Sequence, residues 1–194
     1  MKMIEALFWL LGGAMLLLVL STHTWGEIER QQDISAFAHG PTQTMQIAHA
    51  GSVSVTPSPA RNGEILAVLR IDEVGINLPV RFGTDSRVLR RSPGLIEGTA
   101  FPGEAGNVAI AAHRDRHFRG LQDVDVGTLI ELETHQGTQA YIVTKLAVVD
   151  ATDVHILEDV GRSVLTLVTC YPFYFLGNGA QRFIVRAEAN GMSH

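Results

Sequence analysis

From Gly63 onward the sequence is a succession of short apolar runs rich in β-branched residues, separated by Gly, Pro, Asn and Asp. Such runs are typical of strands with a buried face. Only Ser86–Arg90 and Phe118–Val124 favour short helices. We therefore predict a mainly β (all-β) domain closed into a barrel, because closure removes exposed strand edges; a sandwich is the alternative. The predicted strands are Glu64–Ile71, Ile76–Val80, Asn107–Ala112, Thr128–Glu133, Gln139–Val149, Val164–Thr169 and Arg182–Glu188.

The N-terminus carries an apolar region of a different kind. Ala6–Leu20 has no charge, and the apolar run from Met3 to about Thr24 reaches the roughly 20 residues that a helix needs to cross a bilayer. Lys2 supplies positive charge before the run, which predicts a cytoplasmic N-terminus. We predict that residues 1–25 form one transmembrane helix, a single-pass anchor in the cytoplasmic (inner) membrane, with the folded domain outside the cytoplasm. A cleaved signal peptide is the alternative, and it exports the domain as well.

A polar stretch joins these two regions. From His39 to Arg61 the chain is rich in Thr, Ser, Pro, Gln and Ala and shows no helical or strand period, which is typical of a linker. The predicted organisation is an anchor at 1–25, a stalk at 26–62 and a β-barrel domain at 63–190. The formal net charge of −5 argues against a nucleic-acid partner, which needs a basic face to displace counterions from phosphate.

Three residues at strand ends could form a chemical site. Cys170, the only cysteine, ends a dense apolar run, and Pro172 should stop that strand because proline cannot donate to the ladder. The chain then turns and enters the next strand at Arg182. If these strands pair antiparallel, Cys170 and Arg182 share one rim. His113 closes another apolar run that starts at Asn107.

Each of these residues also has a structural interpretation. A lone cysteine is usually a small buried hydrophobe, although an unpaired one in an exported protein suggests a reactive thiol. His113 could simply end a strand, and Arg182 could be a surface residue. Metal chemistry has little support, because His113 and His117 with one cysteine make a poor zinc site. Calcium binding by Asp115, Asp123 and Asp125 with Glu104 lacks a loop signature.

The ordered motifs resemble those of sortases. Thr166–Cys170 (TLVTC) is similar to the TLxTC signature of that family, and Arg182 follows at the matching strand. The segment Thr169–Gly177, followed by Gln181–Val185, resembles class D sortases, and within that class the marine proteobacterial type. Upstream blocks agree with this resemblance, which covers Glu64 to Arg186: Leu69–Asp72, Gly98–Gly103, Gly106–Ile110 and Ala112–Asp115.

Two positions depart from the pattern of the family. Ala112 stands before the histidine where sortases commonly have glycine, a change that we expect to alter only backbone packing. The loop Gly177–Gln181 lacks the proline that class D members often carry before the arginine. This second difference bears on the rigidity of the loop and on substrate fit, not on the chemistry.

The resemblance implies an eight-stranded sortase barrel, so the strands predicted above would miss one. It also implies a cysteine transpeptidase that cleaves an LPxTG-like sorting signal after threonine through a thioester and transfers the product to an amine. The implied catalytic residues are Cys170, His113 and Arg182, with Thr169 near the oxyanion, and neither a cofactor nor a metal is implied. The partners would be a protein with a C-terminal sorting signal, an amine acceptor and the lipid bilayer.

Two other functions would fit parts of the pattern. A papain-like protease usually places its cysteine on a helix early in the chain, before the histidine; here His113 precedes a strand-borne Cys170. The alternative from another class is a membrane-tethered β module that binds peptides or scaffolds envelope proteins without catalysis. Such a module would form no thioester and would not respond to thiol alkylation.

Overall fold

The computed structural model describes residue 9 and residues 11–17, 31–35, 37, 60–174 and 179–191. The chain divides into two compact units, Met1–His39 and Gly40–His194. In the first unit the described residues are helical. No helix among the described residues is long and apolar enough to cross a membrane. Most of the predicted anchor and of the predicted stalk lies outside the described residues.

The second unit contains eight strands that close into one barrel. Around the barrel the strands follow the order β1-β2-β3-β4-β7-β8-β6-β5. Strands β2 and β3 pair in parallel, as do β4 and β7. The strands are β1 (Ile65–Ile71), β2 (Ile76–Phe82), β3 (Gly94–Leu95), β4 (Asn107–Ala111), β5 (Leu129–Thr134), β6 (Gly137–Asp150), β7 (Val164–Tyr171) and β8 (Gln181–Ala189).

The seven strands predicted from the sequence are confirmed, each end lying within two residues of its predicted position. The eighth strand, β3, spans only Gly94 and Leu95, which is too short to show a period of two. A Cβ atom on Gly94 would overlap the carbonyl oxygen of Gly83, so glycine permits this close approach beside β2. The barrel is confirmed, and the sandwich alternative is wrong.

Both predicted helical segments are helical, but of two kinds. Ser86–Arg91 is an α-helix whose first turn is capped by the Asp85 carboxylate, which accepts from the backbone N–H groups of Arg87 and Val88. The second segment is a 3₁₀ helix over Arg119–Asp123, not an α-helix. Phe118 and Leu121 are fully buried there. A helical segment this short is not stable by itself, so packing against the core stabilises it.

Alternate residues of β4, β7 and β8 point into the barrel. Val108 and Ile110 of β4, Leu165 and Leu167 of β7, and Val185 of β8 belong to the core. Because successive side chains of a strand point to opposite faces, the residues between them lie on the outer face. Continued to the strand ends, this alternation puts His113, Cys170 and Arg182 on the outer face and Thr169 on the inner one.

Polar side chains stabilise the outer face near the start of β4 and β7. The Thr166 hydroxyl donates to Oδ1 of Asn107 at 2.7 Å, and both residues are buried. The Asn107 amide in turn donates to the backbone carbonyls of Ile156 and Glu158, at 2.9 and 3.2 Å. These bonds attach the connection between β6 and β7 to the outer face of the sheet.

Strand β5 offers a matched pair of leucines to test the inside–outside assignment. Leu132 is fully buried in the core, whereas Leu129 on the same strand is 43% exposed. We expect Leu132→Ala to lower the free energy of unfolding by about 2–5 kcal/mol, through lost burial and the cavity left behind. Leu129→Ala should cost less than about 0.5 kcal/mol. Urea unfolding of both variants measures this; equal effects would contradict the assignment.

Candidate active site

Cys170 and Arg182 lie directly opposite each other on the paired strands β7 and β8. Opposite residues of an antiparallel pair have their side chains on the same face. The cysteine is a free thiol, and its side chain is half-buried. The rim predicted from the sequence, with Cys170 and Arg182 side by side, is therefore confirmed.

His113 reaches the same level from the other side of Cys170. In the parallel pair β4–β7, Ala111 is the partner of Val168, and the amide of Ala112 donates to the Val168 carbonyl at 3.2 Å. When the same register is extended by two residues, His113 lies beside Cys170. The structure thus brings three residues to one edge of the barrel: Cys170 of β7, Arg182 of β8, and His113 two residues beyond the end of β4.

His113 itself begins a compact turn. Its carbonyl accepts from the amides of Arg116 and Phe118, at 3.4 and 3.0 Å. The fully buried Phe118 ring anchors the far end of this turn in the core. The side chain of His113 is exposed, while its backbone carbonyl is held by these two hydrogen bonds.

Thr169 lies on the inner face and joins the two strands. It is 2% exposed, and its hydroxyl donates to the Ala112 carbonyl at 2.8 Å. Thr169 is predicted to lie near the oxyanion, where either its backbone or its hydroxyl could act. Because the hydroxyl is bonded across β4–β7 and points away from the Cys170 face, only the backbone is left for that role.

The Arg182 guanidinium is held by the loop that precedes it. Its Nη1 donates to the carbonyls of Gly179 and Gln181, at 2.9 and 3.0 Å. Arginine carries five N–H donors, so those on Nε and Nη2 are the ones that can meet a ligand. The loop fixes the direction of the side chain without using all of its donors.

Three aromatic rings close the barrel end beneath the site. Tyr171 packs edge-to-face on Phe173 with centroids 6.1 Å apart, and Phe173 meets Phe183 edge-to-face at 5.2 Å. Tyr171 also lies beside Phe183 at 6.3 Å. Such pairs contribute about 0.5–1.5 kcal/mol beyond their buried area. They hold the end of β7 against the start of β8, on the face opposite to Cys170 and Arg182.

Neither a group of metal ligands nor the cleft described below includes His113, Cys170 or Arg182 within the described residues. Within the described ranges, no three His, Cys, Asp or Glu side chains are grouped as a metal site would need. A cleft of about 320 Å³ lies at the other end of the barrel, around the β5–β6 hairpin and Asn190. Its lining includes Gln136, Thr138 and Gln139 but neither a thiol nor an imidazole. The strand-end residues, not this cleft, have the chemistry of a catalytic site.

His117 is a second histidine close to His113. Burial lowers the pKa of His117, and the charges of Arg116 and His113 lower it further, against a backbone hydrogen bond to Arg90 and the Asp115 charge, which raise it. Its buried Nε2 has no hydrogen-bond partner in the described structure, so protonation would leave an unpaired N–H there. Both the lowered pKa and the unpaired Nε2 favour the neutral form of His117.

This environment makes stability depend on pH with a definite sign. The folded-state pKa of His117 lies below its ordinary value of 6.5, so below pH 6.5 the unfolded chain binds a proton that the folded one does not. Stability is therefore lost as the pH falls. Between about pH 7.5 and about pH 5.5 we expect His117→Gln to lose less stability than the wild type, measured by urea midpoints.

The exposed His155 provides a control of opposite sign. Its hydrogen bond to Glu158 raises the pKa of His155, so its contribution is present at low pH and is lost as the pH rises. His155→Gln should not reduce the acid sensitivity of the protein. A His117→Gln variant as acid-sensitive as the wild type would contradict the assignment of a buried neutral imidazole.

Comparison with known proteins gives one consistent family. The family model described as the sortase domain matches residues 69–190. Over 124 residues the chain is 31% identical to sortase D of Bacillus subtilis (strain 168), a match covering 63% of this chain and 63% of that protein. The chain thus matches less than two thirds of the length of this relative.

Solved structures agree with that comparison. The fold is similar to that of a sortase D5 transpeptidase from Clostridium perfringens, with a TM-score of 0.63 and 30% identity, covering 68% of this chain and 82% of the other. It is also similar to C. perfringens sortase C with the C-terminal cell wall sorting motif, with a TM-score of 0.63 and 25% identity, covering 69% of this chain and 75% of the other. With the family model matching most of the barrel, these findings confirm the resemblance seen in the sequence: the chain belongs to the sortase family.

Proposed function

We propose that this protein is a class D sortase, a cysteine transpeptidase that cleaves an LPxTG-like sorting signal after threonine and transfers the acyl product to an amine. The observation that carries this proposal is the register of three strands, which brings His113, Cys170 and Arg182 level at one edge of the barrel. The similarity to sortase D of B. subtilis and to a sortase D5 transpeptidase supports the class. The marine proteobacterial subtype stays a prediction.

Cys170 supplies the nucleophile. Its thiolate attacks the carbonyl carbon of the substrate threonine, and the bond to the next residue breaks to leave a thioester. A free thiol with an ordinary pKa near 8.5 is only a few per cent ionised at neutral pH, so a nearby positive charge favours the reactive form. His113 and Arg182 stand on either side of Cys170 and can both supply that charge.

His113 moves the protons. As imidazolium it donates a proton to the amine that leaves when the peptide bond breaks. As neutral imidazole it accepts a proton from the amine that then attacks the thioester. Histidine suits both steps because it titrates near neutral pH. Productive turnover needs thiolate and imidazolium together, so we expect only a fraction of the enzyme to be in the reactive protonation state.

Arg182 binds and does not exchange protons. A guanidinium stays protonated at any working pH, so it cannot act as a base. Its Nε and Nη2 donors can hold a substrate carbonyl or the oxyanion of the tetrahedral intermediate, while Nη1 remains bonded to the loop. We assign Thr169 a lesser part, through its backbone next to the nucleophile.

The partners follow from this chemistry. The substrate is a protein with a C-terminal sorting signal; the structure of C. perfringens sortase C with the C-terminal cell wall sorting motif supports this. The second substrate is an amine at the cell envelope. We also propose that residues 1–25 anchor the chain in the cytoplasmic membrane and residues 26–62 form the stalk, so that the catalytic domain, residues 63–190, works outside the cytoplasm.

The central prediction is an ordered loss of acyl transfer in three variants. Cys170→Ala removes the nucleophile and should abolish transfer. His113→Ala should nearly abolish it, by about 10²–10⁴-fold, because both proton transfers are lost. Arg182→Ala should cost about 10²–10³-fold through weaker oxyanion binding. The measurement is mass spectrometry of a sorting-signal peptide incubated with an amine.

The same assay separates the competing functions. Transpeptidation gives the amine adduct, proteolysis gives only the free acid, and a peptide-binding module gives neither product. His155→Ala and Arg162→Ala are matched controls, since both residues are exposed and lie outside the proposed site. Full activity in Cys170→Ala, or losses as large in the two controls, would refute the assignment of roles.

The anchor is tested separately. We expect the full-length chain to remain in the membrane fraction until detergent is added, because a helix of about 20 apolar residues inserts stably. A chain that begins at Gly63 should be released without detergent. Release of the full-length chain by salt alone, or removal of its first 25 residues during export, would show that residues 1–25 are not a permanent anchor.

A further inference from the structure

Arg114, the residue after the proposed catalytic histidine, is buried. It is 7% exposed and is the one charged side chain among the buried residues of the described structure. Burying a guanidinium costs several kcal/mol unless its donors are bonded. The neighbouring Asp115 and Arg116 are exposed, as expected for a charged turn. A buried charge at this place therefore indicates a specific contact.

The contact joins the histidine turn to the segment that follows the nucleophile. Nη1 of Arg114 donates to the carbonyl of Pro172 at 2.9 Å, and Pro172 is two residues after Cys170. On the other side of the site, Thr169 donates to the Ala112 carbonyl. The His113–Cys170 pair is thus bracketed by two bonds between the same segments, one just before the pair and one just after it.

Gly179 extends this contact to Arg182. A Cβ atom on Gly179 would lie 3.3 Å from Nη1 of Arg114 and would overlap the carbonyl oxygen of Tyr171. The glycine is therefore packed between the guanidinium and the end of β7. Its own carbonyl accepts from Arg182 at 2.9 Å. Contacts therefore connect Arg114 through Gly179, at the end of β7, to Arg182.

We propose that Arg114 and Gly179 form a clamp that positions His113, Cys170 and Arg182 relative to one another. His113 lies beyond the end of β4, so ladder bonds alone do not fix its distance from the thiol. Arg114 is buried and acts through its neighbours, so it is a positioning residue. The planar guanidinium of Arg114 donates to the Pro172 carbonyl and at the same time lies against Gly179. The compact ammonium group of a lysine cannot make both contacts.

This inference rests on the proposed transpeptidase activity and is tested with Arg114→Met, Arg114→Lys and Gly179→Ala in the whole chain. Misplacing reacting groups by about 1 Å can cost about 100-fold in rate. We expect Arg114→Met to lower kcat by about 10–100-fold with KM changed by less than about threefold. Arg114→Lys keeps the charge but loses the flat contact, so it should still lose about 10-fold.

Gly179→Ala tests the other half of the clamp without changing any charge. Its new methyl group would collide with the Tyr171 carbonyl, so we expect a loss of kcat similar to that of Arg114→Met. Gly191→Ala is the matched control, because a Cβ there would meet nothing within 4 Å. Arg119→Met is the control for removing an exposed arginine.

A second readout separates positioning from simple loss of stability. The rate at which iodoacetamide alkylates Cys170 is followed against pH, well below the melting temperature of each variant. In Arg114→Lys and Gly179→Ala we expect slower alkylation at neutral pH and a profile moved to higher pH, because His113 no longer stands beside the thiolate. The two control variants should match the wild type.

Two results would overturn the clamp. One is a folded Arg114→Lys variant with kcat within about twofold of the wild type, which would mean that positive charge alone suffices. The other is a loss of kcat that follows the unfolded fraction, with an unchanged alkylation profile in the folded protein. The alkylation profile is measured without a sorting-signal peptide. It therefore still decides on the clamp if the wild type transfers no acyl group and the proposed function fails.

Discussion

The parallel pairing of β4 with β7 is the constraint on which the proposed site depends. Parallel strands bring their C-terminal ends to the same edge, so the residues that end β4 and β7 meet there. Strand β8 returns antiparallel beside β7 and brings its first residues to that edge as well. Because the side-chain period of a strand is two residues, a slip of one residue in either pair would turn His113 or Arg182 away from the face of Cys170.

Buried polar groups hold this register. Near the start of the pair, Thr166 bonds to Asn107, and near its end Thr169 bonds to the Ala112 carbonyl. A slip would break both bonds and leave buried groups unpaired, at about 1–3 kcal/mol each. Apolar packing alone would tolerate several alignments of Val, Leu and Ile, because hydrophobic contact is not directional. The hydrogen bonds make one alignment preferred, and the proposed chemistry uses that alignment.

Much of this could be predicted from the sequence. Every strand of five residues or more could be recognised as an apolar, β-branched run. Pro172 marked the end of β7 because proline cannot donate to the ladder. The sequence placed Cys170 and Arg182 on one rim on the condition that these consecutive strands pair antiparallel, as consecutive strands often do. The two-residue β3 could not be found, because it shows no period. Neither could the burial of Arg114, since a charged residue after a strand is normally exposed.

The sequence by itself determined seven of the eight strands and the kinds of side chain at their ends, because these depend on local order along the chain. Only the tertiary structure decided that β4 lies beside β7, where a bond joins residues 57 positions apart. That contact depends on the closure of the whole barrel, and the order of strands in a closed barrel cannot be predicted from local sequence patterns. The same closure makes Thr169 a link between strands and gives Arg114 a carbonyl to bind. The residue types that a catalytic site needs can be found along the chain, but their meeting at one edge is a property of the barrel.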